Sequence, residues 1–83
     1  MNVLLELGIL FSKYNHYDMA EQAFKEAINL EPEYADAYYN LGALYFRTGD
    51  IVLARRMFKE ALRLNPSNTY AKEWLIKTQR LAR

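Results

Sequence analysis

Leu7-Gly8, Phe11, Ala20, Phe24, Ala27 and Pro32 return as Leu41-Gly42, Tyr45, Ala54, Phe58, Ala61 and Pro66, every member displaced by 34 positions. Lys25-Glu26-Ala27 also returns as Lys59-Glu60-Ala61, and Leu10 and Leu30 return as Leu44 and Leu64. The recurrence therefore runs through apolar, small, charged and helix-ending positions alike. A period of this length describes a supersecondary unit that cannot bury its apolar face alone and stacks on its neighbours instead. Such a chain is expected to form a piece of solenoid, an architecture whose extended surfaces mostly serve binding.

The gross numbers narrow this further. At 83 residues the chain is expected to make one domain, spanning residues 1–83, of a size at which a single core buries only roughly 60% of the unfolded surface. Cysteine is absent, so neither disulfides nor thiolate metal sites can supplement that core, and a reducing compartment is compatible. The apolar start from Val3 to Phe11 carries Glu6 and lacks both a basic leader and a small-residue cleavage site, so it reads as a helix and not as a signal peptide. Glu6, Lys13 and Asn15 also interrupt the longest candidate for the ~20 apolar residues a bilayer span needs. The expectation is a cytoplasmic protein with no membrane segment.

Helix signals place five elements. Leu4, Leu7, Phe11 and Tyr14 follow three-and-four spacing, which predicts a first helix over about residues 2–14 with that stripe buried. Asn15 closes it, because Asn tolerates the left-handed conformation, and the equivalent position in the second unit is Gly49. Asp18, with Glu21 three residues on, is the expected capping box of the second helix, whose buried stripe is Ala20, Phe24, Ala27, Ile28 and Leu30. Pro32 stops it. The second unit repeats the plan with helices near 35–48 and 52–64, divided by Gly49-Asp50 and ended by Asn65-Pro66. A fifth helix follows Ser67-Asn68, carries Tyr70, Ala71, Trp74, Leu75 and Thr78, and turns polar and basic from Lys72 onward, as a terminal capping helix over about 69–83 should.

These positions resemble the tetratricopeptide repeat. In the second unit its pattern falls on Tyr38, Leu41, Gly42, Tyr45, Ala54, Phe58, Ala61 and Pro66, and in the first on Leu4, Leu7, Gly8, Phe11, Ala20, Phe24, Ala27 and Pro32. The resemblance implies an all-α fold: a right-handed superhelical stack of two antiparallel helical hairpins, with repeats at about 1–34 and 35–68, plus the capping helix. Gly8 with Ala20, and Gly42 with Ala54, would let paired helices approach closely while Phe24 and Phe58 fill the space between them.

Enzymatic chemistry has little to work with. There is one histidine, His16, in an inter-helix turn, and no Gly-rich phosphate loop, so no catalytic residue is assigned. Glu21, Glu26 and Glu60 stand near Lys25 or Arg56 as ordinary helix-surface charges, and no His cluster offers a metal site. No cofactor is expected. The resemblance instead implies a groove lined by the first helix of each pair. Carried over by register, that groove takes Asn2, Leu5, Ile9, Ser12 and Lys13 from the first unit and Asp36, Tyr39, Asn40, Ala43, Phe46 and Arg47 from the second. Tyr70, Glu73 and Lys77 come from the last helix. Aromatic and aliphatic anchors, a backbone-directed Asn and basic residues suit a peptide segment of a protein partner. Leu5, Ile9 and Phe46 have an alternative use, packing on neighbouring helices.

One subclass of the family grips a chain-terminal carboxylate with two cations and two asparagines. Here only Asn40 fits, since Leu5, Ile9, Tyr70 and Trp74 occupy the other positions, and such a clamp is not expected. Nucleic acid is disfavoured too, because the cations of the second half alternate with Glu60 and Glu73 and no base-stacking motif accompanies them.

The second reading is a structural or self-assembling unit. Val3, Leu10 and Tyr14 lie where a preceding repeat would pack, an apolar edge that invites a homo-oligomer. Charge is split as well: residues 1–41 carry two basic and seven acidic side chains, residues 42–83 nine basic and three acidic, which would orient a head-to-tail encounter. An excised or engineered fragment of a longer array would explain the same edge.

Overall fold

The computed structural model describes residues 2–81; Met1, Ala82 and Arg83, which the expected repeat and cap boundaries include, lie outside the described residues. Five helices follow in order: α1 (Val3–Lys13), α2 (Tyr17–Leu30), α3 (Ala35–Thr48), α4 (Ile51–Leu64) and α5 (Thr69–Leu81). Helices adjacent in sequence pack on one another, with a smaller contact between α1 and α3, so the chain is a helical-repeat stack measuring 33 × 25 × 17 Å.

The turns repeat at the level of single hydrogen bonds. Asn15 has φ 66° and Gly49 φ 90°, both left-handed. The His16 amide donates to the Phe11 carbonyl at 2.8 Å, and the Asp50 amide donates to the Tyr45 carbonyl at 2.9 Å, which satisfies carbonyls the helix ends would otherwise orphan. Ahead of the prolines, the Glu31 and Asn65 amides close α2 and α4 on the Ala27 and Ala61 carbonyls in the same way. Different side chains reach one backbone solution, as the register requires.

Caps show where the expectation fails. Asp18 is not the cap of α2: that helix begins at Tyr17, directly after the left-handed residue, and His16 occupies the cap position without a side-chain bond. Asp18 falls in the first turn, where its charge complements the helix N-terminus. Asp50, the match of His16 in the second unit, does cap through its side chain, its carboxylate accepting from the Leu53 amide at 3.2 Å. Asn2 and Asn68 cap α1 and α5 similarly, accepting from Leu4 and from Ala71.

The core is centred on Ala20, Phe24, Leu41, Leu44, Tyr45, Ala54 and Phe58. Each hairpin closes on a glycine facing an aromatic ring. A Cβ at Gly42 would stand 2.8 Å from the Phe58 ring, and one at Gly8 would collide with the Phe24 ring. The buried side of α1 differs from the predicted stripe, however. Gly8 is its one fully buried residue, Leu4, Leu5 and Phe11 are half-buried, and Leu7 and Tyr14 are exposed. Leu30 is exposed as well. For α1 the reason is positional: it packs against α2 and α3, and no helix among the described residues covers its far side.

Candidate functional site

The C-terminal halves of α1 and α3 flank a cleft of about 370 Å³. Its floor is apolar, built from Ile9 and Ala43 with Phe24 and Leu44 beneath; its rim is polar, built from Ser12, Lys13, Asn40 and Arg47. Six of the fourteen groove residues expected from sequence (Ile9, Ser12, Lys13, Asn40, Ala43 and Arg47) therefore line one depression. The register explains this. Positions 9 and 43, and positions 13 and 47, are separated by the same 34-residue shift, so helical packing sets them side by side.

Two of the polar groups are held in place. Arg47 reaches across the cleft, one guanidinium nitrogen donating to the Ser12 hydroxyl at 3.2 Å and to the Ser12 carbonyl at 3.4 Å. Asn40 donates one amide hydrogen to the Asp36 carbonyl at 2.8 Å, which leaves its other hydrogen and its oxygen for a ligand. A side chain so tethered loses less rotamer freedom when it binds.

The remaining predicted residues sit elsewhere. Tyr39 and Phe46 are half-buried against the core: Tyr39 lies 6.0 Å from the Phe58 ring, and Phe46 packs edge-on to Trp74 at 4.7 Å. Leu5 is likewise packed against the core. Lys77 leaves the α1–α3 cleft altogether and lies over the Trp74 ring, its ammonium 4.7 Å from the centroid, beside Glu73 in a smaller hollow of about 230 Å³. Tyr70 is exposed. Phe24, assigned from sequence to the space between paired helices, and Leu44, noted there only as the repeat of Leu10, also line the cleft; a buried apolar side chain carries no sequence mark of which of its faces meets solvent.

Electrostatic perturbation lies behind the cleft. The Tyr45 hydroxyl on α3 donates to the Glu21 carboxylate on α2 at 2.6 Å, and that bond, helped by Lys25, holds Glu21 below the usual carboxylate range. Burial, reinforced by the same carboxylate, pushes the Tyr45 phenol up. This pair joins two repeats. His16 caps α2 with its ring edge-on to Phe11. Among the described residues no three of His, Cys, Asp and Glu converge to hold a metal ion, and no helix is long and apolar enough to cross a membrane.

Two family models match the chain, one for the TPR repeat over residues 9–49 and one for the tetratricopeptide repeat over residues 35–68. The chain belongs to the tetratricopeptide-repeat family. A solved tetratricopeptide-repeat structure is similar over 96% of this chain, with a TM-score of 0.89 and 26% identity: the first such domain of Spaghetti (RPAP3), bound to the HSP90 peptide SRMEEVD. This chain spans 64% of the length of that one. No curated protein matches it. The tetratricopeptide-repeat family is one of protein-interaction scaffolds, and the all-α repeat stack follows its architecture.

Proposed function

We propose that the chain is a non-enzymatic, cytoplasmic interaction module whose α1–α3 cleft receives an extended segment of a protein partner. The observation that carries this reading is the cleft itself, with an apolar floor at Ile9 and Ala43 under the Lys13, Asn40 and Arg47 rim. An aliphatic side chain of the segment enters the floor, Asn40 pairs with its backbone, and Lys13 and Arg47 face its acidic side chains. Tyr39, Phe46 and Leu5 support the surface from below, and Lys77 on its Trp74 platform offers a third cation further along the stack. The bound state of the similar tetratricopeptide-repeat structure supports the reading, since its peptide SRMEEVD combines methionine and valine with three acidic residues.

The mode of capture differs from a terminal-carboxylate clamp. Leu5, Ile9, Tyr70 and Trp74 hold the positions at which that clamp needs cations and a second Asn, so an acidic segment is read by its side chains and not by its chain end. An array of peptides, each present as free acid and as C-terminal amide, tests this. The expected result is capture of acidic segments containing an aliphatic residue, equally in both forms, and loss of capture in Arg47→Ala with circular dichroism unchanged. Equal capture by Arg47→Ala would place binding elsewhere and end the proposal.

A further inference from the structure

Val3, Leu7 and Leu10 on α1 and Tyr14 at its C-cap form one exposed stripe, at 69%, 38%, 49% and 63% of full exposure. Their four-three-four spacing is that of a coiled-coil seam. The corresponding positions one repeat later are Ala37, Leu41, Leu44 and Thr48; the first three are buried at 0%, 3% and 2%, and Thr48, at the end of α3, is exposed. α3 lies between α2 and α4 and has a helix packed on each side, whereas α1 has only α2 and a lighter contact with α3. In this fold, then, the face that α1 leaves open is one that receives a helix. The last repeat offers no free match for it, because α5 already covers the corresponding face of α4.

The shoulders of the stripe say which helix fits. Glu6 and Lys13 each stand one residue before a stripe member, Leu7 and Tyr14, and so share one shoulder; Leu4 and Phe11, each one residue after a member, share the other. Neither Glu6 nor Lys13 has an ion-pair partner among the described residues. If α1 meets α1 of a second copy antiparallel, Leu7 pairs with Leu10 and Val3 with Tyr14. The charged shoulder then faces its own copy, and Glu6 meets Lys13 twice. A parallel pairing would set those charges against Leu4 and Phe11 and gain no ion pair.

We propose that α1 is a homodimerisation helix, pairing antiparallel across a two-fold axis with α1 of a second copy, with Glu6 and Lys13 selecting the orientation. The contact is self-complementary, in contrast to the head-to-tail encounter that the charge split along the chain would favour. An interface made by one 11-residue helix from each copy falls at the small end of the range, so the dimer is weak and depends on concentration.

Sedimentation equilibrium of the whole chain at low salt, from about 1 µM to 1 mM, tests the proposal. The expected result is a monomer–dimer equilibrium without larger species. Leu10→Gln, at an exposed position, should raise the dissociation constant about ten-fold or more with helicity intact. Glu6→Lys and Lys13→Glu should each weaken self-pairing, and an equimolar mixture of the two should dimerise again, because every shoulder contact then joins opposite charges. A monomer throughout, open-ended growth, association indifferent to Leu10→Gln, or failure of the two charge variants to pair on mixing would each overturn it. Peptide capture by the cleft is read in a separate assay, and neither result depends on the other.

Discussion

Two glycines illustrate how one residue type meets two unrelated demands. Gly42 is required for space: the Phe58 ring it faces is fully buried and backed by Tyr39 at 6.0 Å and Trp74 at 5.9 Å, so it has nowhere to withdraw. Gly49 is required for backbone: with φ 90° and nothing within 4 Å of its would-be Cβ, the constraint there is conformational and not steric. Gly42→Ala should destabilise the fold by ~1–3 kcal/mol of overpacking, less the ~1 kcal/mol that alanine's helix propensity returns. Gly49→Ala should cost ~1–2 kcal/mol for the left-handed conformation alone. The two separate on substitution by asparagine. Asn already serves at position 15 with φ 66°, so Gly49→Asn should recover most of the loss in urea midpoint, whereas Gly42→Asn should not.

At the scale of elements, the joint between repeats depends on more than apolar contact. The Tyr45–Glu21 bond ties α3 to α2, and its pH dependence has a definite sign. Glu21 has a folded pKa below its usual 4.5, so the unfolded chain takes up the proton first. The stabilisation is complete above 4.5 and is lost as pH falls through the depressed folded value. Tyr45→Phe should therefore cost about 1 kcal/mol at neutral pH, a modest figure because the carboxylate stays a third exposed to solvent. The gap in stability between wild type and variant should close in acid; a gap that stays constant down to pH 3 would assign the cost to packing.

At the scale of the whole molecule, the two outer helices of the described stack are covered differently. Trp74 lies flat against Phe58, with 15° between the rings, and edge-on to Phe46, so α5 covers both phenylalanines of the second repeat. Trp74→Ala should cost ~3 kcal/mol, at the low end for a large aromatic because the ring is only half-buried. As the sole tryptophan, it makes wild-type unfolding visible by fluorescence, and circular dichroism of both proteins gives the comparison. The other end carries the open α1 stripe. Leu10 and Leu44 occupy the same repeat position, yet one is 49% exposed and the other 2%.

That contrast marks the division between what was legible in the residues and what was not. The 34-residue recurrence determined four of the five helices, their order, the glycine–phenylalanine pairing inside each hairpin and the left-handed turns at 15 and 49, because these depend on local geometry and on partners within one repeat. The fifth helix was legible from its own start signal and apolar face. The family resemblance, carried over by register, also named six of the eight residues that line the cleft, since register brings equivalent positions together on adjacent first helices. Tertiary structure decided which copies of a recurrent position are buried, why Tyr39 and Phe46 lean into the core, and why Lys77 rests on Trp74 apart from Lys13 and Arg47. Burial is a property of the neighbour and not of the residue: identical positions in successive repeats differ when one has a helix packed over it and the other has none.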